Sequence, residues 1–322
     1  MNKKIFVTRM IPAIGIDMLR EKGFDVEINP KDKILSKKEL ISILKKGNYD
    51  AVLSLLTDKI DSQVFDSTKT VKLFANYATG FDNIDIVEAK KRGVLVSNAP
   101  TEFSSSSVAE HTISLAFALL RRIVESDQYT RKGKYKGWAP MNFIGDDIHG
   151  KTIGLIGAGQ IGVRVASYAK ALGLNVIYYD IVRNSKLDNE HSAEYFNSIE
   201  EVLKNSDIVS LHVPLLDSTH HLINEQRLKL MKKTAYLINT SRGPIIDEKA
   251  LVKALKDKVI AGAGLDVFEF EPKLSSGLAK LPNVILTPHI ASASVQARNQ
   301  MAITAVSNII SYFENGSLKN PV

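Results

Sequence analysis

The chain has 322 residues, more than one hydrophobic core usually organises, so two domains are expected. With 44% hydrophobic and 24% charged residues it has a globular composition, and with no cysteine it has no disulfide, no thiolate nucleophile and no Cys-ligated zinc. The formal charge of +7 is dispersed: Lys31, Lys33, Lys37, Lys38, Lys45 and Lys46 form no basic stripe and accompany no nucleic-acid-binding motif, so no nucleic-acid partner is expected.

The N-terminal segment Met1-Asn2-Lys3-Lys4-Ile5-Phe6-Val7-Thr8-Arg9 is too short in apolar residues for a signal-peptide core, and no run of about 18 apolar residues occurs. The expectation is a soluble, cytoplasmic protein without membrane attachment and without a metal site. Strands are predicted at Ile5–Thr8, Phe24–Ile28, Ala51–Leu55, Val71–Tyr77 and Val94–Ser97, with amphipathic segments between them. One of these opens with the capping box Ser36-Lys37-Lys38-Glu39. Such alternation implies a parallel sheet covered by helices on both faces.

Asn98-Ala99-Pro100-Thr101 breaks the pattern, and after Ser104-Ser105-Ser106-Ser107 the apolar spacing of Val108, Ile113, Leu115, Ala116, Leu119, Leu120 and Ile123 predicts a helix from about Ser104 to Tyr129. A second βα series follows, with strands at Thr152–Ile156, Val176–Tyr179, Ile208–His212, Ala235–Asn239, Ile260–Leu265 and Val284–Leu286. A capping box at Ser198-Ile199-Glu200-Glu201 opens a helix within it, and a last helix is predicted from Val295 to Phe313. The fold class expected is α/β, with two doubly wound, Rossmann-like parallel-sheet domains and a cleft between them.

The strongest local signal is Gly157-Ala158-Gly159-Gln160-Ile161-Gly162, entered by the apolar strand Thr152–Ile156 and followed by a helix. Gly157 allows the tight turn, Gly159 lets the backbone approach a pyrophosphate, and Gly162 lets helix and strand pack closely. The helix N-terminus directs free amides and the positive end of its dipole at the phosphates. The next strand ends in Asp180, which can accept bonds from ribose hydroxyls and repels a 2′-phosphate. NAD(H) is therefore expected in preference to NADP(H), although Arg183 lies near Asp180 in sequence.

Three polar residues fall just past predicted strand ends: Arg242, Glu271 and His289. Ligands bind there in open α/β sheets. Hydride reduction of a keto acid needs a proton donor, which His supplies near neutral pH, and a neighbouring carboxylate stabilises its cation. A guanidinium can hold a substrate carboxylate and polarise its carbonyl. Taken singly, each residue also reads as a surface Arg, a solvated Glu or a strand-capping His.

Over nearly its whole length the chain resembles the D-isomer-specific 2-hydroxyacid dehydrogenases, most nearly the glyoxylate and hydroxypyruvate reductase branch that includes D-glycerate dehydrogenases. The resemblance is carried by Asn76-Tyr77-Ala78-Thr79-Gly80-Phe81-Asp82-Asn83-Ile84-Asp85, the Gly157 motif, Asn239-Thr240-Ser241-Arg242-Gly243, Gly264–Pro272 and Thr287-Pro288-His289-Ile290-Ala291-Ser292. It implies that Arg242 orients substrate, that His289 is the acid/base and that Glu271 pairs with it. It also implies that backbone amides of Ala78, Thr79 and Gly80 meet the substrate carboxylate. The cofactor contacts it implies are Gly157, Gly159, Gln160, Ile161, Gly162 and Asp180, with Val213 and Pro214 on the adenosine side and Thr240, Ser241 and Asp266 on the nicotinamide side.

The same resemblance implies a discontinuous substrate-binding domain, residues 1–101 plus 293–322, around an NAD-binding domain at 102–292. It further implies a homodimer through the helix after Pro100 and the arm bearing Trp138, where Trp138 either reaches the partner's site or anchors packing. Glu271 differs from the Gln that formate dehydrogenases carry, and no further domain of the kind found in many phosphoglycerate dehydrogenases is expected. The rival readings are a corepressor-like NAD-sensing protein on the same fold and a reductase of bulkier keto acids such as 2-ketogluconate.

Overall fold

The computed structural model describes residues 3–322; Met1 and Asn2, the start of the segment weighed above as a signal peptide, lie outside it. In chain order the elements are β1 (Lys4–Val7), α1 (Ala13–Glu21), β2 (Asp25–Ile28), α2 (Lys37–Gly47), β3 (Ala51–Leu55), α3 (Ser62–Phe65), β4 (Leu73–Tyr77), α4 (Ile86–Lys91), β5 (Leu95–Ser97), α5 (Glu102–Leu120) and α6 (Ile123–Arg131). Then follow β6 (Thr152–Ile156), α7 (Gln160–Ala171), β7 (Asn175–Tyr179), α8 (Ser185–His191), β8 (Glu194–Tyr195), α9 (Ile199–Asn205), β9 (Ile208–Leu211), α10 (Glu225–Leu228) and β10 (Tyr236–Asn239). The series closes with α11 (Glu248–Lys256), β11 (Gly262–Leu265), β12 (Val284–Leu286) and α12 (Val295–Asn315). Two compact units result: residues up to Ser104 with Ala293–Val322, and Ser105–Ser292.

The first unit is built on a five-stranded parallel sheet of order β2-β1-β3-β4-β5. Alternation along its strands sorts side chains onto two faces. Ile5, Val7, Leu53, Leu73 and Ala75 pack with Ile16 and Leu19 of α1 and with Ala302, Ala305 and Ile309 of α12. Phe6, Val52, Phe74 and Val96 turn the other way, onto Leu40, Leu44, Val64 and Phe65. The predicted box at Ser36 is realised, with Ser36 Oγ accepting from Glu39 N–H at 3.3 Å and Glu39 Oε2 accepting from Ser36 N–H at 2.9 Å.

The second unit holds a seven-stranded parallel sheet, β12-β11-β10-β9-β6-β7-β8. One face packs on α5 and α7 through Ala109, Leu119, Val165 and Ala169, the other on α9 and α11 through Val202, Leu203 and Leu251. The two-residue strand β8 was not expected, being too short to show an alternating pattern. Strand ends differ from expectation by a residue or two, which is where local signals are weakest.

The helix expected from Ser104 to Tyr129 is two helices. It starts earlier because Thr101 Oγ1 accepts Ser104 N–H at 2.9 Å, which places Glu102 inside the first turn. It stops at Leu120, whose carbonyl accepts Asp146 N–H at 3.0 Å. Arg122 then takes a left-handed backbone with φ 52 and is held by Glu125, Nε to Oε2 at 2.6 Å. Among the described residues no helix is long and apolar enough to cross a membrane.

Candidate active site

β6 delivers the glycine motif to the point where the second sheet reverses its strand order, between β6 and β9. Ligands of open α/β sheets bind beyond the strand ends at such points. Gly157 has φ 107, and a Cβ there would lie 2.6 Å from the His212 carbonyl carbon, so only glycine fits. A Cβ on Gly162 would lie 2.3 Å from Gly157 O, which is the close helix–strand approach that the sequence suggested. Gly159 is different: a Cβ would meet nothing within 4 Å. The space beyond it is open, and α7 begins at Gln160 with no side chain capping its first amides. An open cradle at an uncapped helix N-terminus fits a pyrophosphate.

Asp180 stands at the end of β7 and accepts Ala158 N–H at 2.6 Å, so its carboxylate is fixed on the rim of this cradle. Arg183 is drawn elsewhere: its Nε donates to Asp188 Oδ2 at 2.7 Å, and its guanidinium lies 5.6 Å from the centre of the Tyr195 ring. Gln160 and Ile161 form the first turn of α7. Val213 and Pro214 follow β9, with the Val213 carbonyl accepting Ser241 Oγ–H at 2.5 Å.

Past β10, the buried side chain of Asn239 shapes the next turn: its Nδ2 donates to Arg242 O at 2.8 Å and its Oδ1 accepts Ser241 N–H at 3.0 Å. That bracket places Arg242 at the head of a short 3₁₀ turn, Gly243–Ile245, with its Nη1 donating to Ser241 O at 2.8 Å. Thr240 is buried, and its hydroxyl lies 3.0 Å from that of Thr112 on α5.

His289 and Glu271 meet, Nδ1 to Oε2 at 3.1 Å. Both side chains stay partly open, at 28% and 33% exposure. Glu271 Oε1 accepts Phe268 N–H at 3.0 Å. Burial alone would raise the Glu271 carboxyl, but the hydrogen bond and charge of His289, with help from Phe268 N–H and the Arg242 charge, hold it below the usual carboxylate range. The structure thus brings Glu271 and His289 into contact and sets Arg242 within electrostatic reach of Glu271.

Asp266 does more than its sequence position suggested. Its buried carboxylate accepts Thr287 Oγ1–H at 2.6 Å, Ile290 N–H at 2.9 Å and Ala291 N–H at 2.8 Å, and its carbonyl accepts His289 N–H at 2.9 Å. The loop presenting His289 is wound around it, with His289 itself at φ 56. His111 of α5 extends this network, Nε2 to Thr287 Oγ1 at 3.0 Å. Neither Asn239 nor His111 carries a local sequence signal of its role. The same holds for His212, beneath Gly157, whose pKa loss of solvent lowers to about 3, leaving a neutral ring beside Ser210 Oγ at 2.9 Å.

In the first unit, Ala78, Thr79 and Gly80 form the loop after β4. Its carbonyls are taken by Ala99 N–H at 2.8 Å, Asn98 Nδ2 at 2.7 Å and Asn76 Nδ2 at 3.0 Å respectively. Among the described residues no group of three or more His, Asp or Glu could hold a metal ion.

Residues 113–291 match the family described as D-isomer specific 2-hydroxyacid dehydrogenase, NAD binding domain. A glyoxylate reductase of Thermococcus gammatolerans is 45% identical, with 99% of this chain and 95% of that protein aligned. A crystal structure of a Thermus thermophilus protein superposes with a TM-score of 0.92 at 38% identity, covering 99% of both chains. The NADPH-dependent glyoxylate/hydroxypyruvate reductase of Sinorhizobium meliloti, solved with NADP and malonate, superposes with a TM-score of 0.86 at 29% identity, covering 100% of this chain and 97% of that one.

Proposed function

This chain belongs to the D-isomer specific 2-hydroxyacid dehydrogenase family and is an oxidoreductase; we propose that it reduces glyoxylate to glycolate with NADH. The observation that carries this reading is the His289–Glu271 contact beyond the strand ends, in the unit that also holds the open Gly159 cradle. The unit Ser105–Ser292 is assigned the cofactor and the other unit the substrate carboxylate, through the Ala78-Thr79-Gly80 loop. Gly157, Gly159, Gln160, Ile161, Gly162 and Asp180 would hold the dinucleotide, with Val213 and Pro214 beside its adenosine. Thr240, Ser241 and Asp266 line the nicotinamide side largely through backbone, since their side chains are bonded within the protein.

Held in the Gly159 cradle, NADH would supply a hydride to the keto carbon. His289 supplies the proton to the keto oxygen from Nε2, because Nδ1 is held by Glu271. The ionised Glu271 stabilises the imidazolium before transfer and keeps the neutral ring's remaining proton on Nδ1 afterwards. Arg242 offers a planar fork for the substrate carboxylate and polarises the keto oxygen. The names of the relatives are those of reductases, which does not favour the corepressor reading. Hydroxypyruvate is the second substrate supported, by the name of the Sinorhizobium enzyme.

The coenzyme preference rests on Asp180, a carboxylate on the cradle rim that would repel a 2′-phosphate, with Arg183 already paired to Asp188. Steady-state reduction of a keto-acid panel with NADH and NADPH is the test. Glyoxylate should be turned over with NADH preferred, and Asp180→Ala should narrow the gap. Equal or better kcat/KM with NADPH in the wild type would refute the preference.

A homodimer is supported by the apolar residues that α6 and the following arm leave outside: Ile123 at 50% exposure, Trp138 at 84% and Met141 at 77%. Light scattering should give twice the 35.5 kDa chain mass. A monomer at micromolar concentration would contradict it.

A further inference from the structure

A second histidine–carboxylate pair lies outside the dyad: His221 Nε2 is 2.8 Å from Glu269 Oε1. Glu269 Oε2 also accepts the backbone N–H of Glu248 at 3.1 Å. Glu248 opens α11, where amides lack helical acceptors. The Glu248 carboxylate, 1% exposed, returns the bond, accepting Glu269 N–H at 2.7 Å and Ser275 N–H at 3.2 Å. Each glutamate thus caps the other's backbone, and a carboxylate buried this deeply persists only when donors surround it.

What the clamp grips is the segment that presents Glu271. Phe268 N–H, next to the doubly held Glu269, fixes Glu271 Oε1 and leaves Oε2 for His289. On its other side the segment supports the arginine turn: a Cβ on Gly243 would lie 1.9 Å from the Phe268 carbonyl carbon and 2.4 Å from Glu269 N. His221 reaches in from the loop after β9, its N–H donating to Pro244 O at 2.8 Å and its backbone at φ 50. The backbone bond to Pro244 O and the ring contact with Glu269 Oε1 together fix His221 in place.

We propose that Glu248, Glu269 and His221 are positioning residues. They set the Glu271 carboxylate against His289 and seat the Arg242 turn, so the acid–base geometry depends on three groups that touch neither substrate nor cofactor. The inference rests on His289 and Glu271 acting as the dyad proposed above.

The test uses the full chain with His221→Asn, Glu269→Gln and Glu271→Gln, measuring kcat for glyoxylate reduction against pH, the Kd of NADH and Tm. Asn tolerates a left-handed backbone, so His221→Asn removes the imidazole without new strain. Misplacement of a reacting group should lower kcat by roughly tenfold to a hundredfold in both clamp variants. Misplacing Glu271 should weaken the hold that His289 has on its carboxyl, so the acid limb of kcat should move to higher pH in both clamp variants, with NADH affinity unchanged. Glu271→Gln removes that carboxyl and should abolish the limb, and adding His221→Asn to it should lower kcat no further. An acid limb that Glu271→Gln abolishes but that stays in place in both clamp variants overturns the clamp and leaves the dyad standing. An acid limb that survives Glu271→Gln overturns the dyad, and the clamp with it. If Glu269→Gln does not fold, His221→Asn decides alone.

Discussion

In one sheet the first strand, β1, lies between β2 and β3; in the other the first strand, β6, lies between β7 and β9. Both therefore reverse strand order beside their first strand, the position where ligands bind in open α/β sheets. β6 runs into Gly157-Ala158-Gly159, and the space past Gly159 is empty of protein. β1 runs into Thr8, 1% exposed, whose hydroxyl donates to Asp58 Oδ2 at 2.5 Å, with Asp58 itself 4% exposed. The same architecture thus ends in an open cradle in one unit and in a filled polar knot in the other. Topology supplies the crevice, and the side chains at the end of one strand decide whether anything can enter.

The sharpest way to break this division is to remove the proposed proton donor from the β6 unit. His289→Ala should lower kcat/KM for glyoxylate by about 10²–10⁴-fold, the worth of general acid catalysis. NADH binding, read by fluorescence titration, should be kept. A variant that keeps the wild-type rate would place the chemistry elsewhere. Glu271→Gln should act more mildly: it keeps the shape, removes the charge beside His289 and removes the carboxyl that titrates, so kcat should fall and lose its acid limb. On the acid side, His289 holds the Glu271 carboxyl below its ordinary 4.5, so the dyad stays intact above that value and is lost as pH falls through the depressed pKa. An acid limb of kcat centred above 4.5 would contradict the pairing.

The glycines sharpen the comparison at smaller amplitude. Gly159→Ala adds a methyl to open space, so Tm of the free enzyme should not change. The same methyl stands where the phosphates would lie, and crowding of this kind typically costs about 1–3 kcal/mol, roughly fivefold to 150-fold in Kd for NADH. Gly162→Ala drives its methyl toward Gly157 O and should lower Tm whether or not NADH is present. If the two variants exchanged these effects, the cradle would be misplaced.

The features that could be read from sequence are those whose cause is local. The glycine motif declares its backbone demands in residue type, and the alternation of Ile5, Phe6 and Val7 between two cores follows from the strand period alone. The end of α5 could not be read, because Arg121-Arg122 carries no turn chemistry and the stop is imposed by distant Asp146. Asp266 was legible as important but not in its bonding, since the loop it gathers lies beyond the next strand. His221 and Glu269 stand 48 residues apart, and no spacing rule joins them.

The smallest expected effect tests the filled crevice itself. Thr8→Val keeps the shape of the side chain and removes the hydroxyl, which takes one donor from Asp58 Oδ2 and leaves it Leu55 N–H at 2.8 Å. A buried acceptor that loses a donor costs about 1–3 kcal/mol, so Tm at neutral pH should fall by several degrees. Burial already raises the Asp58 carboxyl, and the Thr8 hydroxyl opposes that rise, so in the variant the carboxyl should titrate higher still. A folded-state pKa above the unfolded value means that the folded chain binds the extra proton, so stability is lost as pH rises through it. The difference in Tm between wild type and Thr8→Val should therefore be largest at neutral pH and shrink in acid, where both carboxyls are protonated. NADH affinity should not respond, because no cradle exists at β1. A Thr8→Val variant with altered NADH binding would mean that this crevice also takes a ligand, and the contrast between the two sheets would fall.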